Sequence, residues 1–299
     1  MKSVYPDILD LDFLTFPGTI ASYLIRLPHT AVLVETGPSS TIPQLIKKLN
    51  DHGLKPSDIS DVFISHIHLD HSGAVGWLAQ QGAVIHVHPN GAPHLINPEK
   101  LLNSAKRIYG DNMNSLWGNF IPVPQEKIHT PNNEENIVID HSSFQVFDTP
   151  GHADHHYCIL YEGILFSGDI GGIRIAHTSR IELPTPPPEF NPQKWHSSIQ
   201  LMRSLQPQVI APTHFGIFTD VTYHLNQLEV GLSKLEDWLS SHMKNNPDLE
   251  RFTADYADYI RHQRENAVDS SLLNYYDILN PSWMSAAGLY RYWTKTQSN

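Results

Sequence analysis

The stretch Ile64-Ser65-His66-Ile67-His68-Leu69-Asp70-His71-Ser72-Gly73 sets four candidate metal ligands within six residues, directly after the apolar run Val62-Phe63-Ile64. A short apolar run ending in a polar loop marks the end of a buried strand. His66, His68 and Asp70 alternate, so an extended segment directs all three to one side. His71 breaks the alternation and must aim elsewhere. Neutral imidazole together with carboxylate suits zinc, iron or manganese rather than calcium or copper(I). The rest of the chain is expected to hold this loop against ligands that come later.

On the N-terminal side, residues 20–27 and 30–35 flank a Pro28-His29 turn in a hairpin pattern. Ile42, Leu45, Ile46 and Leu49 recur at helical spacing, and Gly53 stops that helix. Beyond the loop, Ala74, Val75, Leu78 and Ala79 predict a short amphipathic helix, and residues 83–87 a strand. Strand, loop and helix repeated in this way is α/β construction, in which sites gather at the carboxyl ends of strands. Residues 89–135 predict helical pieces at 91–109 and a loop to about 135. Strands resume at 137–139, 144–147, 157–161 and 163–167, followed by a helix over 192–205 and the strand Val209-Ile210-Ala211. Pro184-Thr185-Pro186-Pro187-Pro188 is expected to stiffen a surface loop. From residue 221 the apolar spacing turns helical and continues to Trp293.

Three further polar residues sit where strands should end: His152 in Asp148-Thr149-Pro150-Gly151-His152, Asp169 in Ser167-Gly168-Asp169, and His214 in Pro212-Thr213-His214. Rigid strands commonly present functional side chains from such loops. His66, His68, Asp70, His71, His152, Asp169 and His214 make five imidazoles and two carboxylates, enough for two metal ions with positions left for water. The chain's own control is His86-Val87-His88-Pro89, an HxH pair without the following Asp-His, expected to be strand residues.

The bulk numbers narrow the classes. With 299 residues, 40% of them hydrophobic, the chain is long enough for one large core plus an appendage. A formal net charge of −11 argues against a nucleic-acid or anionic-membrane binder. The lone cysteine, Cys158, excludes an intramolecular disulfide framework and fits a reducing, cytoplasmic setting. The N-terminus lacks a continuous apolar segment, so no signal peptide is expected, and no apolar run reaches the ~18 residues of a membrane span.

On the HxHxDH stretch, Thr149-Pro150-Gly151-His152, Ser167-Gly168-Asp169 and Pro212-Thr213-His214, the chain resembles a metallo-β-lactamase-superfamily hydrolase over roughly residues 10–220. The resemblance implies an α/β, four-layer αββα metallo-β-lactamase sandwich at 1–220, with a helical C-terminal extension at 221–299. It also implies that His66, His68 and His152 hold one divalent ion, that Asp70, His71 and His214 hold a second, and that Asp169 bridges them. Zinc is expected, with iron or manganese as alternatives. A metal-bridging hydroxide would be the nucleophile, with Asp70 as the catalytic residue that orients it or carries its proton.

Single positions sort the subfamilies. Zinc β-lactamases lack the bridging aspartate that Asp169 supplies. Flavodiiron proteins carry Glu where this chain has His68. Acyl-homoserine lactonases have a tyrosine three residues after the bridging Asp, where this chain has Gly172. Many relatives read Asp-Thr-Gly where this chain reads Glu35-Thr36-Gly37. What survives resembles glyoxalase II: a hydrolase of a small ester, thioester or lactone, with residues 221–299 roofing the site or joining two subunits as a homodimer. Arg174 and His177 are candidate substrate contacts, and His156 a candidate support for the metal ligands. An iron sulfur dioxygenase and a phosphodiesterase are the alternative activities. The expected partner is a small-molecule substrate, with no nucleic acid and no membrane.

Overall fold

Among the described residues, eleven short strands form two sheets whose apolar faces meet, because successive side chains on each strand point to opposite sides and the inward side is apolar. The computed structural model describes residues 5–175 and 178–297. The first sheet runs, in spatial order, β1 (Asp7–Asp10), β2 (Ala21–Arg26), β3 (Ala31–Val34), β4 (Ile59–Phe63), β5 (Val84–His86) and β6 (Ile128–His129). Its first three strands are antiparallel and the rest parallel. The second sheet contains β7 (Asn136–Ile139), β8 (Ser142–Asp148), β9 (Tyr157–Tyr161), β10 (Ile164–Phe166) and β11 (Val209–Ala211), in the order β11-β10-β9-β8-β7. Only the β10/β11 pair is parallel.

Alternation divides the core into layers. Tyr23, Val34, Phe63, Phe144, Ile159 and Phe166 fill the space between the sheets. Leu24, Leu33, Val62 and Ile85 point outward from the first sheet onto α1 (Ile42–Asp51) and α3 (Val75–Gln80), which offer Leu45, Leu49 and Leu78. Cys158, Leu165 and Ile210 point outward from the second sheet onto α7 (Pro192–Ser204) and α8 (Val221–Met243) through Trp195, Ile199 and Leu228. Two covered sheets give the expected αββα sandwich. Cys158 sits wholly inside it, and burial pushes its thiol up to about 12, so it stays protonated.

Between β4 and β5, α2 (Leu69–Ser72) precedes α3; between β5 and β6 lie α4 (Ala92–Ile96), α5 (Glu99–Tyr109) and α6 (Met113–Trp117). The expected loop to about 135 therefore contains an extra helix and the last strand of the first sheet. The C-terminal helices after α8 are α9 (Leu249–Glu265), α10 (Ser270–Leu279) and α11 (Ser282–Gln297). They are not loosely appended. Buried Arg264 of α9 forms ion pairs with Glu182 and with Asp277 of α10. Asn280 also donates to Glu182, 2.9 Å away. Among the described residues no helix is long and apolar enough to cross a membrane.

Candidate metal centre

The strand directions decide where the ligands go. β3 and β4 are parallel, β10 and β11 are parallel, and two antiparallel steps make β8 parallel to β10. The segments that follow β3, β4, β8, β10 and β11 thus leave at the carboxyl ends, and backbone bonds stitch the sheets together there. Tyr157 N–H donates to Ser65 O at 2.7 Å, and Ala21 N–H to Thr213 O at 2.9 Å.

His66 Nε2, His68 Nδ1, His152 Nε2 and an Asp169 carboxylate oxygen form one convergent set, and Asp70, His71 and His214 a second; within each, all ligand atoms lie within 4.8 Å of one another. Asp169 belongs to the space between them. Its Oδ2 is 3.4 Å from His152 Nε2, and its Oδ1 is 3.3 Å from His71 Nε2 and 3.5 Å from His214 Nε2. Asp70 Oδ2 lies 3.5 Å from His214 Nε2 and 3.7 Å from His71 Nε2. Gly168 makes the approach feasible: its φ is +51°, and a Cβ there would meet Ser65 Cβ at 2.5 Å and His156 Nε2 at 2.6 Å. One expectation is corrected. Asp70 is not on an extended segment but in α2, because the backbone turns helical at Leu69; one helical turn, not alternation, places Asp70 and His71 on the second set.

The groups behind the ligands fix their tautomers. His152 Nδ1 donates to Pro184 O and His214 Nδ1 to Thr19 O, each at 2.9 Å, leaving Nε2 with its lone pair. His66 Nδ1 is 3.0 Å from Ser65 Oγ. Glu35, buried with φ +68°, accepts from Ser65 N–H at 3.0 Å and holds His71 Nδ1 at 3.2 Å. The longer side chain therefore reaches the ligand after all. Such partners orient imidazoles and raise their basicity toward a metal. His156 is wedged behind the Asp169 loop, 2.9 Å from Thr149 Oγ1 and accepting from Ile170 N–H at 3.4 Å.

Charge gives the fit test for a cation. Burial, and then the neighbouring imidazoles, hold His66 and His68 well below the ordinary histidine value, so both are neutral donors. Burial would raise Asp70, but His71 and His214 outweigh it and bring it to about 2. Burial likewise lowers His71, yet the carboxylates of Asp169, Asp70 and Glu35 draw it well above the ordinary value. The cluster is short of positive charge and recruits protons in its place. His71 Nε2 and Asp169 Oδ1 are both buried and make no hydrogen bond, despite standing 3.3 Å apart. Buried polar atoms without partners are costly unless a ligand satisfies them. The donor set fits two divalent cations.

A cavity of about 260 Å³ opens onto His68, Asp70, His152 and Asp169, walled by α5, by Pro184 and Pro186–Pro188, and by Leu279, Asn280, Met284 and Ser285. The proline segment is thus a wall of the site rather than a surface loop: Pro184 and Thr185 are buried because α11 packs over them. Arg174 is also corrected as a substrate contact. Its buried guanidinium is spent on a bidentate pair with Asp220 at 2.7 and 2.8 Å and lies 4.0 Å from the Phe218 ring centroid. Its backbone N–H instead donates to His214 O. His177 lies outside the described residues. The control pair stays out of the centre: His86 bonds Asp61 and His129, and His88 bonds Asp148. Nothing in the sequence marked Tyr109, whose hydroxyl donates to Met284 Sδ at 3.3 Å beside this cavity.

The sequence model described as "Metallo-beta-lactamase superfamily" matches residues 15–214. A metallo-beta-lactamase fold-containing protein of Sulfurisphaera tokodaii is 26% identical over 229 residues, covering 74% of this chain and 82% of that one. A probable metallo-hydrolase of Methanocaldococcus jannaschii is 28% identical over 166 residues, covering 55% and 72%. Among solved structures, a metallo-beta-lactamase family protein of Thermus thermophilus superposes with a TM-score of 0.63 at 19% identity, covering 93% of this chain and 89% of that one. That last likeness is one of fold.

Proposed function

The chain belongs to the metallo-beta-lactamase superfamily of metal-dependent hydrolases, and from that premise we propose that it is a binuclear hydrolase of a small ester, thioester or lactone, glyoxalase-II-like in layout. The observation that carries the reading is Asp169, with one carboxylate oxygen toward each ligand set and one of those oxygens buried without a hydrogen bond. His66, His68 and His152 would hold one ion, Asp70, His71 and His214 the other, with Asp169 shared. Zinc suits this mixture of imidazole and carboxylate. When bound, such ions polarise a carbonyl oxygen and acidify water.

The chain's own residues do the rest. Asp70 is the most accessible of the two carboxylates, 24% exposed at its side chain against 6% for Asp169, and it faces the cavity. Kept ionised by His71 and His214, it accepts a hydrogen bond from an attacking water and orients it. Tyr109, whose hydroxyl has only a weak thioether acceptor, donates to the substrate's developing oxyanion. It would thereby stand in, from α5, for the tyrosine that acyl-homoserine lactonases carry where this chain has Gly172. The helical extension would support the site, since Leu279, Asn280, Met284 and Ser285 line the cavity. Metal analysis should find two zinc-class ions per chain, and the loaded protein should hydrolyse simple esters or thioesters. One ion per chain, or no turnover of any such carbonyl substrate, would defeat the proposal.

A further inference from the structure

We propose that the site takes an uncharged ester or thioester with apolar groups on both sides of the carbonyl, one in each of two lobes that meet at Asp70 and Tyr109. This rests on the carbonyl-hydrolase reading above. A second cavity of about 260 Å³ adjoins the first, and Asp70, Ile108, Tyr109, Trp117, Leu279 and Met284 line both. Beyond those shared residues, the second lobe is walled by Phe13, Leu14, Leu116, Ile278 and Trp283.

Charge and shape select the occupant. Among the described residues lining the second lobe, Asp70 is the sole charged one and it is committed to the metal set, so an anionic group reaching the far end of that lobe would find no counter-ion. In the first lobe, with Asp70 and Asp169 committed to the metal sets, the exposed Lys100 is offset by Glu189 on the same cavity. Neither lobe is built to pay the desolvation of a dicarboxylate or phosphate. Both offer apolar walls, and each methylene they bury is worth roughly a fourfold gain in affinity. The reacting carbonyl then falls at the shared wall, where Asp70 and Tyr109 stand.

The experiment uses the zinc-loaded full chain with butyl butyrate, methyl butyrate, butyl acetate, methyl acetate and the anionic monobutyl succinate. Butyl butyrate should exceed each singly shortened ester in kcat/KM by about tenfold or more, and methyl acetate, five methylenes shorter, by about a thousandfold. Monobutyl succinate should fall about tenfold or more below butyl butyrate. Ser104→Phe narrows the first lobe alone and Asn112→Phe the second alone, so each should penalise a different one of the two singly shortened esters. In parallel, dibutyl ketone, which cannot be hydrolysed, should raise the melting temperature of the metal-free chain more than acetone at equal concentration. Equal shifts from the two ketones, preference on one side only, or full activity on the anionic ester overturns the two-lobed assignment. Ketone discrimination with no turnover of any ester overturns the carbonyl-hydrolase reaction instead.

Discussion

Glu35 and His71 meet 3.2 Å apart in the fully buried layer behind the second ligand set, and the other oxygen of the same carboxylate accepts the Ser65 N–H. One side chain from the end of β3 thus locks both the ligand ring of His71 and the entrance of the ligand loop after β4. Glu35→Gln keeps an acceptor for Ser65 but weakens the hold on His71, and should lower affinity for the second ion about 10–100-fold. Glu35→Ala also orphans the Ser65 N–H and should cost a further ~1–3 kcal/mol. Metal titration and thermal melts check both; an Ala variant that keeps two ions after dialysis against a chelator would sink this assignment.

Asp169 is the group both ligand sets share, so Asp169→Asn should reduce bound metal from two ions to at most one per chain. Losing the anion leaves His71, His152 and His214 without the carboxylate that counterbalances them. Turnover should fall by about a thousandfold or more. Elemental analysis beside kinetics separates metal loss from misfolding, and full metal content with retained turnover contradicts the shared role.

His224, fully buried at the start of α8, donates to Gly171 O at 2.7 Å just past Asp169. Burial first, and then the nearby Arg174, bring its ring to about 4. The folded value lies below the unfolded one, so protonation favours unfolding: the contribution is complete above about pH 6.5 and is lost as pH falls toward about 4. The loss is at most about 3 kcal/mol. His224→Gln keeps a donor for Gly171 without a titrating ring. Its melting temperature should fall less than that of the parent chain between those pH values. Parallel curves would show that His224 contributes nothing to the acid limb.

Tyr109→Phe tests the proposed oxyanion donor. The ring packs 5.0 Å from Trp117, so Phe preserves the wall and removes only the hydroxyl. Loss of one such donor costs about 100–1000-fold in kcat where it is fully engaged. The expected signature is a fall in kcat with KM and metal content held. A change confined to KM would assign Tyr109 to binding alone.

Sequence patterning showed the alternating strands and helices of α/β construction, and the ligands because they cluster at 66–71 and recur just past strand ends, whereas the αββα sandwich came from the resemblance that those ligand motifs carry. It failed where long-range packing decides. Proximity to Asp169 made Arg174 look available, but its partner Asp220 lies 46 residues away. Two of the groups that orient ligand rings, Thr19 O and Pro184 O, are backbone atoms that any residue could supply. The proline run looked like a surface feature because nothing local shows that α11 covers it.

That cover gives the last prediction. A Cβ at Gly288 of α11 would stand 2.0 Å from Thr185 O and 2.8 Å from the Pro186 carbonyl carbon, both backbone atoms that cannot rotate away. Thr185 is further tied to α11 through Ser285, by its N–H to Ser285 Oγ and its hydroxyl to Ser285 O. The residue before it carries the carbonyl that holds His152 Nδ1. Gly288→Ala must therefore push α11 off the segment or drag Pro184 with it. Overpacking of this kind costs ~1–3 kcal/mol, seen as a lower melting temperature. Because the strain ends at His152, the first ion should also bind less tightly, while the second, which does not use His152, should be held nearly as before. Competition with a graded chelator resolves the two ions; a destabilised variant with both affinities intact would show that the C-terminal helices cover the site without tuning it.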